Sequence, residues 1–432
     1  MANITIDTNK IVSKIKPLHG VGQPPVGGLA DKYFQNFHYL TEAGSPYSRL
    51  HDVAGAFGGN RFVDISNIFR DFDADVNDPS SYDFTFTDAL IKALVEADVE
   101  PYYRLGETIE NQAFFKSYRI DPPKDYEKWA SICEHIVAHY IDGWADGYHY
   151  NITYWEIWGE PDDGLRISQL WNGTAEDYYR LYEVTSKKLK SRFGDRIKVG
   201  GYGAIGFYKQ IALKDGNTPT KFHEYYEEFF YGFMKYVKET DSPIDFYSWH
   251  SYSSTENVLC ETKWLTKEME KLDMTHIEVH LNEWNPFADE RGTEHHSAEC
   301  MAMMLCMQNE KIDVMNLYDA RIAGGNHMAL FDPYTQKPHH AYYSLVAFDH
   351  LYKLQNQAEL KCDTEGIYSL CATNGNKNVI VISNISGQKH ELNIEGVNLD
   401  DARFSVIDQK RLLSWSPKVD VIENNQVVMI EF

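Results

Sequence analysis

The stretch ITYWEIWGEP, residues 152–161, decides the fold. Aromatic and β-branched residues fill it as far as Trp158, and such residues suit a pleated, half-buried strand. Pro161 then ends it, because proline has no N–H to give to a sheet ladder. The segment therefore reads as a strand that carries Glu160 to its C-terminal end. IEVHLNEWNP, residues 277–286, has the same form, with Glu283 near its end and Pro286 behind it.

Six further runs resemble these two: LHGVG (18–22), YSRLHD (47–52), EPYYRLG (100–106), IKVGGYG (197–203), DFYSWHSY (245–252) and DVMNLYD (313–319). Helical periodicity predicts helices between most of them, at 84–98, 124–140, 174–192, 221–239, 261–272 and 297–310. In 174–192, Thr174 is an N-cap and Glu176 and Asp177 fall in the first turn. Tyr178, Leu181, Tyr182 and Leu189 follow at helical spacing. Eight strands alternating with helices predict a (β/α)8 TIM barrel over residues 12–350. An open doubly wound sheet would want a glycine-rich phosphate loop after its first strand. Here Pro24 and Pro25 sit where that helix should start, and no phosphate-loop motif is present.

Beyond residue 350 the texture changes to short alternating strands separated by Asn, Gly and Asp turns, such as GIYSLCATNGNKNVIVISNIS. This predicts a C-terminal accessory β-sandwich of residues 351–432. Residues 1–11, with the strand-like NITID, are expected to pair into it.

Composition excludes several classes. A formal net charge of −23 argues against nucleic acid, whose phosphates call for Lys and Arg, and against anionic membranes. No run of 18 apolar residues predicts a membrane span. The six cysteines form no CxxC pair, so neither structural zinc nor a disulfide framework is expected. The opening MANITIDTNKIVSK lacks a charged and apolar leader pattern. It reads as a cytoplasmic start, or as a periplasmic or secreted chain from which a leader has been removed.

Active sites of (β/α)8 barrels lie at the C-terminal ends of the strands. Glu160 on strand four and Glu283 on strand seven should therefore face one cavity from opposite sides. Two such carboxylates are what glycosidic bond cleavage needs: one donates a proton to the leaving oxygen, the other attacks or stabilises the anomeric carbon. Glu156 shares the parity of Glu160 but lies four residues deeper, roughly 13 Å down at the strand rise. It reads as a buried structural carboxylate paired with Arg49 or Arg104.

WEIWGEPD resembles the strand-four motif of glycoside hydrolase family 39. YSRLHD, LWNGTAEDYYRLYEVTSKKLK, DFYSWHSY, HLNEWN and FDPYTQKPHHAYYSLVAFDHLYKL resemble further segments of that family in order, over nearly the whole chain. The resemblance implies a retaining mechanism with Glu160 as acid/base and Glu283 as nucleophile. It also implies that His51, His250 and Tyr252 line a sugar pocket. Members of the family include β-xylosidases and α-L-iduronidases. One residue departs from the pattern: Gly159 stands where the clan carries an Asn that hydrogen-bonds the sugar 2-OH. Asn282 or His250 would have to replace that contact, and activity on simple aryl β-xylosides is expected to be poor.

Trp158 and Trp284 flank the carboxylates and read as packing or as pocket walls. Tyr318 ends strand eight and joins the expected substrate contacts. Arg49 and Arg104 read as partners of barrel carboxylates, or as binders of an acidic sugar. HIEVH (276–280) has the wrong spacing for a metal helix. Its parity, opposite to Glu283, directs His276 and His280 toward the helical layer. The adjacent pairs His295-His296 and His339-His340 read as loop residues. No cofactor or metal is expected, and the expected partner is a glycoside or oligosaccharide. The competing functions are a carbohydrate-binding protein with a degenerate site and an endo-acting glycanase.

Overall fold

The structure, a computed structural model, describes residues 1–26, 35–51, 53, 62–107, 120–163, 170–286, 290–322, 330–332 and 334–432. Eight parallel strands close into a barrel. In order they are Gly20–Gly22, Tyr47–Leu50, Glu100–Leu105, Tyr154–Ile157, Lys198–Ala204, Phe246–Ser251, Glu278–Trp284 and Val314–Tyr318. They are called barrel strands one to eight. Each coincides with a strand read from the sequence and differs from it only at the ends. Asp52, the last residue of the expected second strand, lies outside the described residues.

The helices follow their caps. Ala175–Phe193 begins on a full capping box, with Thr174 and Asp177 satisfying each other's backbone N–H groups. Two helices start earlier than their periodicity predicts. Thr255–Lys271 is capped by Ser254, and Glu294–Met307 by Thr293. That second start draws His295 and His296 into a helix rather than a loop. His339 and His340 likewise open the helix His340–Leu354.

Inward-facing Tyr102, Tyr154, Phe246 and Val314 pack with Tyr47 across the bottom of the barrel. The barrel is thus closed below by a layer of rings, as packed barrel interiors require. Every polar group above that floor must find its partner inside the wall or in the mouth.

The remaining strands form one nine-stranded sheet. The N-terminal strand Ala2–Lys14 lies within it, antiparallel to Asn356–Cys362 and parallel to His390–Glu395. The sheet is therefore mixed rather than purely antiparallel. It curls over its own core, which includes Ile4, Ile380, Val406 and Ile430. Glu294–Met307 joins the two parts. It is buried nearly all round because one face meets the barrel and the other the sheet. Ser383 Oγ donates to Ala298 O at 2.6 Å across that junction.

Candidate active site

The layer above the aromatic floor is polar and fully buried. Arg49 Nε donates to Glu156 Oε2 at 2.7 Å. Ser248 Oγ and Asn282 Nδ2 donate to Glu156 Oε1 at 2.6 and 2.7 Å. Burial opposes a charge on Glu156, but Arg49, then Ser248, Asn282 and His250, outweigh it and hold the carboxyl below the ordinary glutamate value. Glu156 is thus the buried partner of Arg49, one of the two pairings expected.

A β-bulge in strand seven creates the next layer. Trp249 is level with Leu281, yet His250 is level with Glu283. On the other side Leu281 is level with Met315 and Trp284 with Leu317. Asn282 is therefore an extra residue, and it reverses the side-chain alternation beyond it. Asn282 and Glu283, adjacent in sequence, both face the interior. The parity argument that directed His280 outward fails for this reason. His280 lies inside the barrel, stacked on Phe246 at 4.6 Å and 3.1 Å from Tyr102 OH. His276 lies exposed before the strand.

An arginine, two histidines and a phenol surround Glu283. Arg49 Nη1 donates to its Oε2 at 3.0 Å, and Tyr252 OH donates to its Oε1. His51 Nε2 and His250 Nδ1 stand 3.4 and 3.7 Å from Oε2. Burial pushes this carboxyl up, but His250, His51 and Arg49 together hold it well below the ordinary value. Tyr318 stacks beside His51 at 5.4 Å and meets Tyr252 edge-on at 6.3 Å.

Glu160 reaches the same point by a turn. Strand four ends at Ile157, one residue before its expected end, because Trp158 and Glu160 take left-handed conformations at φ 70° and 49°. The Glu160 N–H is shared between Tyr202 O and Gly203 O, at 3.1 and 3.0 Å. Gly203 is itself the extra residue of a bulge in strand five. Because residues 158–160 turn instead of climbing, Glu156 is not a full strand rise below the site. A Cβ on Gly203 would lie 3.0 Å from His250 Nε2 and 3.2 Å from Glu156 Oε1, so that carboxylate and the His250 ring both border the same glycine. Glu160 Oε1 is 2.7 Å from His250 Nδ1. One ligand atom each from Glu160, His250 and Glu283 falls within 4.8 Å of the others. This is the only group among the described residues close enough to hold a metal ion, and it contains both paired carboxylates.

The other expected contacts divide. His51, His250, Tyr252 and Tyr318 gather around Glu283. Asn282 is taken up below by Glu156 and by Tyr102 OH at 3.3 Å. Trp158 and Trp284 are fully buried and pack in the barrel-helix core. Trp158 donates to Leu170 O at 2.9 Å and packs edge-on against Trp171. The open side of Gly159 faces Arg104 and Arg49.

Two carboxyls that sequence reading missed clamp the loop after strand five. Asp162 accepts from Ile205 N at 3.1 Å, and Glu261 accepts from Phe207 N at 2.9 Å and from Ser251 Oγ at 2.6 Å. Burial, then the nearby Glu160 charge, pushes Asp162 well above the usual carboxylate range. Burial pushes Glu261 up to about 8. The loop they hold supports Tyr252, whose N–H donates to Tyr208 OH at 3.1 Å. A signal for Glu261 exists in the sequence: it falls on the apolar stripe of its helix, between Val258 and Leu265. Asp162 directly follows the Glu160-Pro161 motif.

The sequence profile described as Glycosyl hydrolases family 39 matches residues 29–288, more than half of the chain. The chain belongs to glycosyl hydrolase family 39. Among curated proteins, this family 39 chain is 23% identical over 256 residues to a beta-xylosidase of Geobacillus stearothermophilus, covering 53% of this chain and 46% of that enzyme. It is 25% identical over 273 residues to a beta-xylosidase of Caldicellulosiruptor saccharolyticus, covering 59% and 49%. The chain spans about half the length of the curated relatives it matches. Among solved structures, a glucosidase from Croceicoccus marinus superposes with a TM-score of 0.77 at 17% identity, covering 100% of this chain and 98% of that one. A GH39 beta-xylosidase from Caulobacter crescentus gives 0.71 at 16% identity, with 100% of both chains covered. At these identities the two structures establish the shared fold. Among the described residues, no helix is long and apolar enough to cross a membrane.

Proposed function

We propose that this family 39 chain is a retaining exo-glycosidase of the β-xylosidase type, with Glu160 as acid/base and Glu283 as nucleophile. The observation that carries the reading is the separation of the two carboxylates, with one oxygen of each within 4.8 Å of the other. Retaining enzymes hold these groups about 5–5.5 Å apart, and inverting enzymes about 6.5–9.5 Å apart to admit a water.

Electrostatics support the same division of labour. Glu283 is ionised by Arg49, His51 and His250, and Tyr252 occupies its second oxygen. An ionised, oriented carboxylate attacks the anomeric carbon to form the glycosyl-enzyme ester. Glu160 gives its proton to the leaving oxygen, then takes one from the water that hydrolyses the ester. His250, beside Glu160 Oε1, orients that carboxyl.

The substrate is a glycoside or oligosaccharide whose terminal sugar enters above the ring floor. Specificity differs from that of a simple β-xylosidase because Gly159 and its two arginines shape the pocket. A panel of aryl glycosides with product analysis by proton NMR tests the proposal. Retention of anomeric configuration is expected, together with trapping of a 2-fluoro glycoside on Glu283. An inverted first product, or no turnover of any glycoside, would overturn it.

A further inference from the structure

Glu261 sits on the helix Thr255–Lys271 and is fully buried. Its two oxygens end on two different segments. Oε1 accepts from Phe207 N at 2.9 Å, in the loop after strand five, and Oε2 accepts from Ser251 Oγ at 2.6 Å, on the last residue of strand six. The residues that follow these two are bonded to each other, Tyr252 N–H donating to Tyr208 OH at 3.1 Å. A carboxyl and a phenol therefore tie the same two segments together at consecutive positions. Among the described residues no cation pairs with Glu261. A buried carboxyl without one is costly to keep, and an apolar side chain there would leave both donors unmet.

The segment that Glu261 braces carries contacts to both paired carboxylates. Side chains alternate along a strand, so with Ser251 turned to the helix its neighbours face the mouth. His250 meets Glu160 there, and Tyr252 OH donates to Glu283 Oε1. The two neighbours differ in how they are held. His250 lies within strand six, level with Glu283 of strand seven. Tyr252 lies one residue beyond the strand, where the sheet ladder no longer fixes it. Its placement falls to Ser251, which Glu261 holds, and to Tyr208, which follows the Phe207 that Glu261 also holds.

We propose that Glu261 is a positioning residue for the nucleophile: by bracing Phe207 and Ser251 it sets the Tyr252 hydroxyl on Glu283. The proposal rests on the glycosidase reading above. Glu261 touches no reacting atom, and its effect passes through one hydrogen bond, which weakens steeply as its geometry is lost. The loss on removing Glu261 should therefore not exceed the loss on removing the Tyr252 hydroxyl itself.

Two double-mutant cycles test this, read as kcat/KM on the aryl glycoside that wild type cleaves fastest, with thermal melts confirming folding. Glu261→Ala and Ser251→Ala are each made in wild type and in Tyr252→Phe. In wild type, Glu261→Ala should lower kcat/KM about tenfold and Ser251→Ala about fivefold, because residues that act through one shared contact couple. In Tyr252→Phe, where no hydroxyl remains to be placed, each should cost less than about twofold. Glu261→Gln keeps an acceptor for Phe207 N–H and a polar partner for Ser251 Oγ, so it should stay within about threefold of wild type. If Glu261→Ala does not fold, Ser251→Ala decides by the same comparison. Equal losses with and without the Tyr252 hydroxyl would overturn this inference and leave the glycosidase reading standing, and a loss in Glu261→Gln as large as in Glu261→Ala would do the same. Absence of turnover by wild type on every glycoside would overturn both.

Discussion

Arg49 holds Glu283 through Nη1 at 3.0 Å and, with the same guanidinium, holds Glu156 through Nε at 2.7 Å. One planar fork from strand two thus fixes a carboxylate on strand seven relative to another on strand four. Lysine, a compact point charge, cannot make both contacts. Arg49→Lys should therefore lower kcat/KM by roughly a hundredfold or more, equivalent to about 3 kcal/mol of transition-state stabilisation at 1.36 kcal/mol per decade. Steady-state kinetics on the best aryl glycoside check this. A loss below about fivefold would show that the fork is not needed.

The acid limb of kcat/KM follows from the depressed Glu283. Its neighbours favour the charged form, so the nucleophile stays ionised below the ordinary glutamate value of about 4.3. Activity should persist down to that pH and fall only as Glu283 takes up its proton. Removing a neighbour that favours the charged carboxylate moves the limb upward, so His51→Asn should raise it relative to wild type. The pH–rate profiles of the two proteins decide. An acid limb that stays in place would mean that another group controls it.

Removing the two carboxylates should have different consequences. Glu283→Ala abolishes turnover on every substrate. Glu160→Ala spares activated aryl glycosides, whose leaving groups need little protonation, and slows alkyl glycosides or disaccharides far more. Azide should restore Glu160→Ala activity with formation of a glycosyl azide of retained configuration. Equal losses on good and poor leaving groups would reverse or remove the assignment.

Tyr252 donates to Glu283 and is itself held through Tyr208. Tyr252→Phe keeps the ring against Tyr318 but deletes the donor. A hydrogen bond to a charged group contributes about 1.5–3 kcal/mol, so kcat/KM should fall by roughly ten- to a hundredfold with little change in melting temperature. An unchanged kcat/KM would make the tyrosine a packing residue only.

Glu261 predicts a stability effect with a definite sign. Its folded carboxyl titrates near 8, above the unfolded value. Between about pH 4.3 and 8 the folded chain keeps a proton that the unfolded chain has released, so stability falls as pH rises through that window. Glu261→Gln keeps acceptance from Phe207 N–H and removes the titration. Its denaturant-derived stability should therefore lose a few kcal/mol of pH dependence across the window. Parallel pH profiles for the two proteins would contradict the burial argument.

Residue patterns alone determined much of this protein. Aromatic and β-branched runs ending in proline marked Glu160 and Glu283. Eight strand-like runs alternating with amphipathic helices marked the barrel, because strand and helix periodicities are local properties of the chain. Thr174 was legible as a cap, and Asp177 as a first-turn acid, for the same reason. Tertiary structure decided what depends on counting across strands. The extra residue Asn282 turns two consecutive side chains inward, so strict alternation misplaced His280. Left-handed backbone at Trp158 and Glu160 removed the strand rise that would have separated Glu156 from the site. Register between neighbouring strands is set by packing and ladder geometry around the whole barrel, and no single segment carries it. The pairing of Gly159 with Arg104 belongs to the same class: the two lie 55 positions apart in the chain, and only closure of the barrel brings the open face of the glycine against Cδ and Nη1 of the arginine.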